Sequence, residues 1–321
     1  MNATMERMKR RWLGAGMAAA LIAAGCAQKT PPAGQMPATA APRDAAPGPE
    51  LCLGRYALRV PARARVVGRD QSMARLGLRV RDLPPGTARD DLPNHAPWLT
   101  AADLNTRTGL TTTQLAPDTL LLTWRATNRD AAVVDTEVVR MLPGVLVAAH
   151  GRGEDAANLA AQRDTALALV QAAAPRPEAE VPAGGFCIDR AVINRGFAEE
   201  EFAGAVLDIG RDQRLFATTR SNGGEVGPRL SDGGPGTAPP DVSVLRAGPR
   251  NAGGQAGDEL VLSRPRSRNQ DMLLMWRFVG MPNSGAEPAL ELRLEASDVA
   301  APEAVIAEWD AILASLRRRG D

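Results

Sequence analysis

The stretch FCIDRAVI, Phe186 to Ile193, reads alone as an apolar strand fragment carrying one cysteine and one arginine. It decides the fold because the chain has already written it once. At Leu51 to Leu58 the sequence is LCLGRYAL, again Cys, aliphatic, one residue, Arg. Two further echoes follow in the same order. LLLTWR (120–125) is answered by LLMWRF (273–278), and AAQRDTALALVQA (160–172) by IAEWDAILASLRR (306–318), aligned on their aspartates. Echoes kept in order at a long spacing point to an internal duplication. Each unit then runs a Cys strand, further strands, a Trp-Arg strand, its hairpin partner and a helix.

Local patterns agree with that order. Val305, Ile306, Trp309, Ile312, Leu313 and Leu316 form a broad helical stripe, the spacing of one buried helix face. Pro302 suits the first turn, and Arg317–Arg319 with Gly320 suit the last. The opposite number is Glu154–Ala173, whose face would be Leu159, Ala166, Leu169, Val170 and Ala173. Strand runs at 108–115 and 119–127 are split by Ala-Pro-Asp, those at 133–141 and 145–150 by Leu-Pro-Gly, and those at 201–209 and 214–220 by Gly-Arg-Asp-Gln. The fold class expected is α+β: two similar domains, each an antiparallel sheet with a closing C-terminal helix on one face. The joint between them is the Pro-rich APRPEAEVPAGG, which gives domains at 51–175 and 183–321. A second irregular tract, Ser221–Asp241, is too long for a simple turn and reads as an excursion or a binding loop.

The N-terminus decides the compartment. Arg7, Lys9, Arg10 and Arg11 precede an apolar run from Trp12 to Ala24. That run is too short for a mature membrane span, so residues 1–25 read as a signal peptide. It ends Ala23-Ala24-Gly25-Cys26, the pattern of a bacterial lipobox, and makes Cys26 the expected lipid anchor; palmitate and a second acyl chain would hold it stably. Ala27 in place of aspartate directs such a lipoprotein to the outer membrane. Residues 26–50 are rich in Ala, Pro and Gly and read as a tether. At about 3.1 Å per residue it reaches at most roughly 70 Å. The expected location is the periplasmic side of the envelope.

The chain carries +1 over 321 residues. Without residues 1–25, which hold four basic groups and one acid, 34 basic and 36 acidic side chains remain. That balance offers nothing to nucleic acid. With Cys26 acylated, Cys52 and Cys187 are left in an oxidising compartment, which favours a disulfide; the alternative is two reduced cysteines packed as small hydrophobes. They would meet only if a pseudo-twofold axis runs near the first strands, and the bond would then close a loop worth about 5 kcal/mol in the chain-entropy picture. No C-x-x-C, G-x-S-x-G, Walker or H-E-x-x-H motif occurs, and His95 and His150 are too few for a zinc set. No catalytic residue, metal, cofactor or small-molecule substrate is expected. Arg55 and Arg190, one per repeat, are expected to be structural.

Together LCLGRYALRVP, GGFCIDRAVI, LLMWRF and EAVIAEWDAILASLRRR resemble the periplasmic immunity proteins that neutralise type VI secretion phospholipase effectors, and among them the two-domain family paired with the fourth lipase class. The resemblance spans about residues 51–319. It implies a stoichiometric inhibitor, not an enzyme, whose two domains form a claw on the lid region of the lipase and keep substrate from its active site. The partners implied are the phospholipase effector and, through the anchor, the membrane. Without the family match the same features would suit an envelope lipoprotein that binds or scaffolds a non-toxin partner. Ser221–Asp241 and Asn94–Thr100 are the loops expected to line the cleft.

Overall fold

The computed structural model describes residues 48–96, 107–127, 132–177, 181–198, 200–221, 230 and 239–319. The signal peptide, Cys26, residues 97–100 and most of 222–238 lie outside the described residues. Among those described, no helix is long and apolar enough to cross a membrane.

The first half forms β1 (Glu50–Leu53), β2 (Tyr56–Arg59), β3 (Arg65–Met73), β4 (Leu76–Asp82), a short helix α1 (Leu92–His95), β5 (Arg107–Ala116), β6 (Thr119–Ala126), β7 (Val134–Leu142), β8 (Val145–Gly153), helix α2 (Ala156–Gln171) and β9 (Ala173–Pro175). The second half forms β10 (Phe186–Ile188), β11 (Ala191–Ile193), β12 (Glu201–Gly210), β13 (Gln213–Arg220), β14 (Ser243–Ala252), β15 (Gln255–Pro265), β16 (Gln270–Phe278), β17 (Ala289–Val299), helix α3 (Pro302–Ser315) and β18 (Arg317–Arg318). The protein is mostly antiparallel sheet with few helices.

The two halves do not keep separate sheets. One 12-stranded sheet runs β14-β15-β16-β17-β13-β12-β3-β4-β8-β7-β6-β5. Read outward from the β12–β3 ladder, both arms have the same order, first to second strand, then sixth, fifth, fourth and third. Within the ladder Ala205 faces Arg69, Gly204 faces Asp70 and Val206 faces Gly68, with a register shift between Val206 and Leu207. The small sheets repeat the relation, as β1-β2-β18 and β10-β11-β9. Each is completed by the other half. β9 leaves α2 to pair with β11, and β18 leaves α3 to pair with β2. The backbone amide of Arg176 donates to Arg190 O at 2.8 Å, and that of Arg319 to Arg55 O at 2.9 Å.

This topology corrects two alignments. Trp124 lies on β6, the fourth strand of its arm, and Trp276 on β16, the fifth. The helices match through burial, Ala166, Leu169 and Val170 against Trp309, Ile312 and Leu313, so Asp164 and Asp310 are not equivalents. Nor do Arg317–Arg319 end a helix: Leu316 turns extended and the arginines that follow form β18.

α2 starts at Asp155, whose carboxylate accepts the Asn158 amide at 2.8 Å. It packs on β7 and β8, close enough that a Cβ on Gly151 would lie 2.7 Å from Gln162 Oε1 of the helix. The main core fills the space between the large sheet, the small sheets and both long helices, with Tyr56, Phe186, Trp276 and Trp309 fully buried. Trp276 fits because Gly257 on the neighbouring strand has no side chain: a Cβ there would sit 2.4 Å from the indole. A second cluster, built on Leu120, Leu122, Trp124, Val139 and Leu146, lies under Leu92 and Ala96. So Asn94–Ala96, the described part of the Asn94–Thr100 loop, belongs to α1 and its cap.

Candidate functional site

The junction of the halves is built from the two rhyming hairpins. Cys52 on β1 and Cys187 on β10 are joined by a disulfide, with Cα atoms 5.9 Å apart. The Cys187 amide donates to Gly54 O at 2.9 Å. From β3, Arg69 Nη1 donates to Cys52 O at 3.4 Å and Gln71 Nε2 to Cys187 O at 3.3 Å. The cystine is thus tied to the strand on which the sheet joins.

The paired arginines part company here. Arg55 is buried, and its Nε and Nη2 reach both carboxylate oxygens of Glu201 at 2.9 and 2.5 Å. It also donates to the carbonyls of Arg195 and Gly196. A bidentate pair with its other donors satisfied is the geometry in which a buried charge is tolerated. Arg190 keeps a third of its side chain exposed and lies 3.4 Å from Asp82. The sequence reading missed Arg319, which ends the chain's path through the junction. It is buried and donates to Cys187 Sγ, Pro182 O, Gly184 O and Gly185 O. Burial, with Arg176, Arg55 and Arg317 nearby, brings its pKa down to about 10. The signal that could have found it is a second rhyme, an arginine soon after each helix, Arg176 and Arg319.

Beside the junction, Phe197 is 55% exposed, with the guanidiniums of Arg55 and Arg318 at 4.6 and 5.5 Å from its ring. Met281, 57% exposed, belongs to the turn whose Gly285 packs on Phe197. An exposed aromatic held over arginines is the composition of a protein-binding hot spot.

A polar cluster lies on the other face of the first arm. His150 Nε2 and Asp135 Oδ1 are 2.9 Å apart, the imidazole stacks on Trp124, and Arg107 lies 4.6 Å over the indole. Burial holds His150 below its usual range. Glu137, fully buried, has no hydrogen-bond partner on either oxygen. Burial raises its pKa to about 8 against the pull of Arg79 and Arg107. Among the described residues, no three metal-ligating side chains come together.

Residues 180–321 match the family model described as the Tle cognate immunity protein 4 C-terminal domain. No curated protein is similar to the chain by sequence. Among solved structures the fold is similar to the apo immunity protein TplEi of the type VI secretion system of Pseudomonas aeruginosa, with TM-score 0.70 and 18% identity over 84% of this chain and 97% of that one. TplEi complexed with an "L" peptide gives TM-score 0.68 and 17% identity, covering 87% and 100%. The Tle4-Tli4 complex gives TM-score 0.69 and 19% identity, covering 86% and 99%.

Proposed function

We propose that this chain, whose residues 180–321 match the model of the Tle cognate immunity protein 4 C-terminal domain, binds a type VI secretion phospholipase effector stoichiometrically and silences it. The family is one of effector-binding immunity proteins, not enzymes. The observation that carries the reading is the family match in the second half, continued by an immunity-protein fold over most of the chain. A structure of similar fold binds a peptide, which supports a polypeptide ligand.

In this reading the two arms act as the jaws of a claw on the lid region of the lipase. The Cys52–Cys187 bond and the Arg55–Glu201 pair fix the arms to each other, so little freedom is lost on binding. Inhibition then follows from differential affinity: the claw holds the closed enzyme more tightly than the open one and shifts the population by that difference. Acylation at Cys26 would keep the inhibitor on the outer membrane, at the phospholipid the effector attacks. Supporting this are the basic start, the short apolar run and the Ala-Gly-Cys junction.

Co-purification with the cognate effector, followed by a phospholipase assay, tests the reading. A one-to-one complex without lipid hydrolysis is expected; free hydrolysis in its presence refutes it. Anchoring is tested separately. Cys26→Ser should move the protein from the membrane to the soluble fraction, and retention on the membrane would end that part of the proposal.

A further inference from the structure

We propose that an extended segment of the bound effector enters as a β-strand along Arg65–Asp70, in the split where β3 leaves β4. The inference rests on effector binding as read above and adds the place and the conformation in which the partner is held. β3 follows β12 over its whole length, from Arg65 to Met73. It pairs with β4 only at Gln71–Met73. Beyond Leu78, β4 continues beside β8 to Asp82, so Arg65–Asp70 have no strand on that side among the described residues. The repeat does not require this. The equivalent pair, β12 and β13, stays paired from Phe202 to Gly210, with one register shift between Asp208 and Gly210.

A strand with one open edge presents backbone donors and acceptors to any extended chain, and proteins usually blunt such edges with charge, proline or cover. Here Arg65, Arg69 and Asp70 are charged, but between them the edge exposes two apolar side chains. Val66 and Val67 are 42% and 60% exposed. They sit at a bulge, where Leu207 faces Val66 and Val206 faces Gly68, leaving Val67 without a cross-strand partner. Bulges of this kind re-aim a side chain at a binding site. Against the strand lies a groove of about 610 Å³, walled by Pro49–Cys52 and closed by Arg176 and Asp189. Main-chain bonds along the edge would give affinity, and alternate side chains entering the groove would give specificity.

Charge selects the occupant. The groove beside the split is lined by Arg65, Arg69 and Arg176 against Glu50 and Asp189, with Arg69 paired to Asp189 at 3.2 Å. The cation excess suits a segment of the effector that alternates apolar and acidic residues.

Hydrogen exchange on the full-length protein, free and saturated with the cognate effector, tests the assignment together with Val67→Lys. Expected are at least tenfold slower exchange at residues 65–70 in the complex and at least tenfold weaker binding by the variant, which folds normally because the side chain is exposed. Should the effector bind and lose activity while 65–70 exchange as in the free protein and the variant binds as tightly, the strand-addition site falls and the immunity reading stands. If the effector neither binds nor loses activity, both fall. Protection of 65–70 that rises with protein concentration in the absence of effector would make a second copy the occupant and overturn the effector assignment.

Discussion

At the residue scale, two buried carboxylates show opposite fates. Glu201 meets both nitrogens of Arg55, while Glu137 meets none. Removing one member of a buried pair strands the other, at a cost of about 3–5 kcal/mol. Arg55→Ala is therefore expected to lower stability by that order, measured by urea unfolding, and the same change at Arg190, one-third exposed beside Asp82, by well under about 1 kcal/mol. Equal losses would contradict the assignment. Glu137, raised from 4.5 to about 8 by burial, is protonated in the native state and ionised in the unfolded chain between those values. Its contribution is fully present below pH 4.5 and is lost as pH rises through 8, with a slope approaching about 1.4 kcal/mol per pH unit. His150, held low by burial, acts in the opposite sense but is common to wild type and variant. Glu137→Gln should gain on the wild type steadily from pH 5 to pH 8; a constant difference would show that Glu137 does not titrate there.

At the element scale, the exchanged strands matter most. β18 is only Arg317–Arg318, yet with Arg319 it closes the first half's small sheet and ties the 182–185 loop through Arg319. Ending the chain at Leu316 should therefore loosen the first half as well as the second. Hydrogen exchange would show it as faster exchange at Tyr56–Leu58, far away in sequence. Gly257 is a second test. Gly257→Ala puts a methyl against the Trp276 indole, and overpacking of this kind costs roughly 1–3 kcal/mol. A neutral change in thermal unfolding would mean that the indole shifts freely.

At the scale of the whole molecule, the Cys52–Cys187 bond spans a separation of 135 residues and joins the halves where their sheets meet. Replacing both cysteines by serine should lower stability by about 2–5 kcal/mol. The twelve-stranded sheet is held at its centre by the β12–β3 ladder as well, so the double variant should still fold and bind effector. Loss of binding with folding intact would show that the bond sets the relative position of the arms.

How much of this was legible follows from what each signal depends on. The rhyming cysteine hairpins, the α3 stripe and the hairpins β5–β6, β7–β8 and β12–β13 were readable because periodicity and turn residues act within a few neighbours. β3 and β14 were not. β3 is exposed over its first three residues, and β14 carries Pro249 on an outer edge, where alternation fades and proline is tolerated. Of the site, the sequence pointed to the cysteines and to Arg55, but not to Arg319, whose partners lie more than 130 residues away. The sequence alone determined that the chain is a duplicated α+β protein with a lipobox-like start, since repetition and composition are properties of the string. Only the tertiary structure decided that the halves share one sheet and exchange their last strands, and that β3 leaves β4 halfway. Pairing between distant strands is chosen by which edges are left unsatisfied once each half has folded, and no local pattern records that choice.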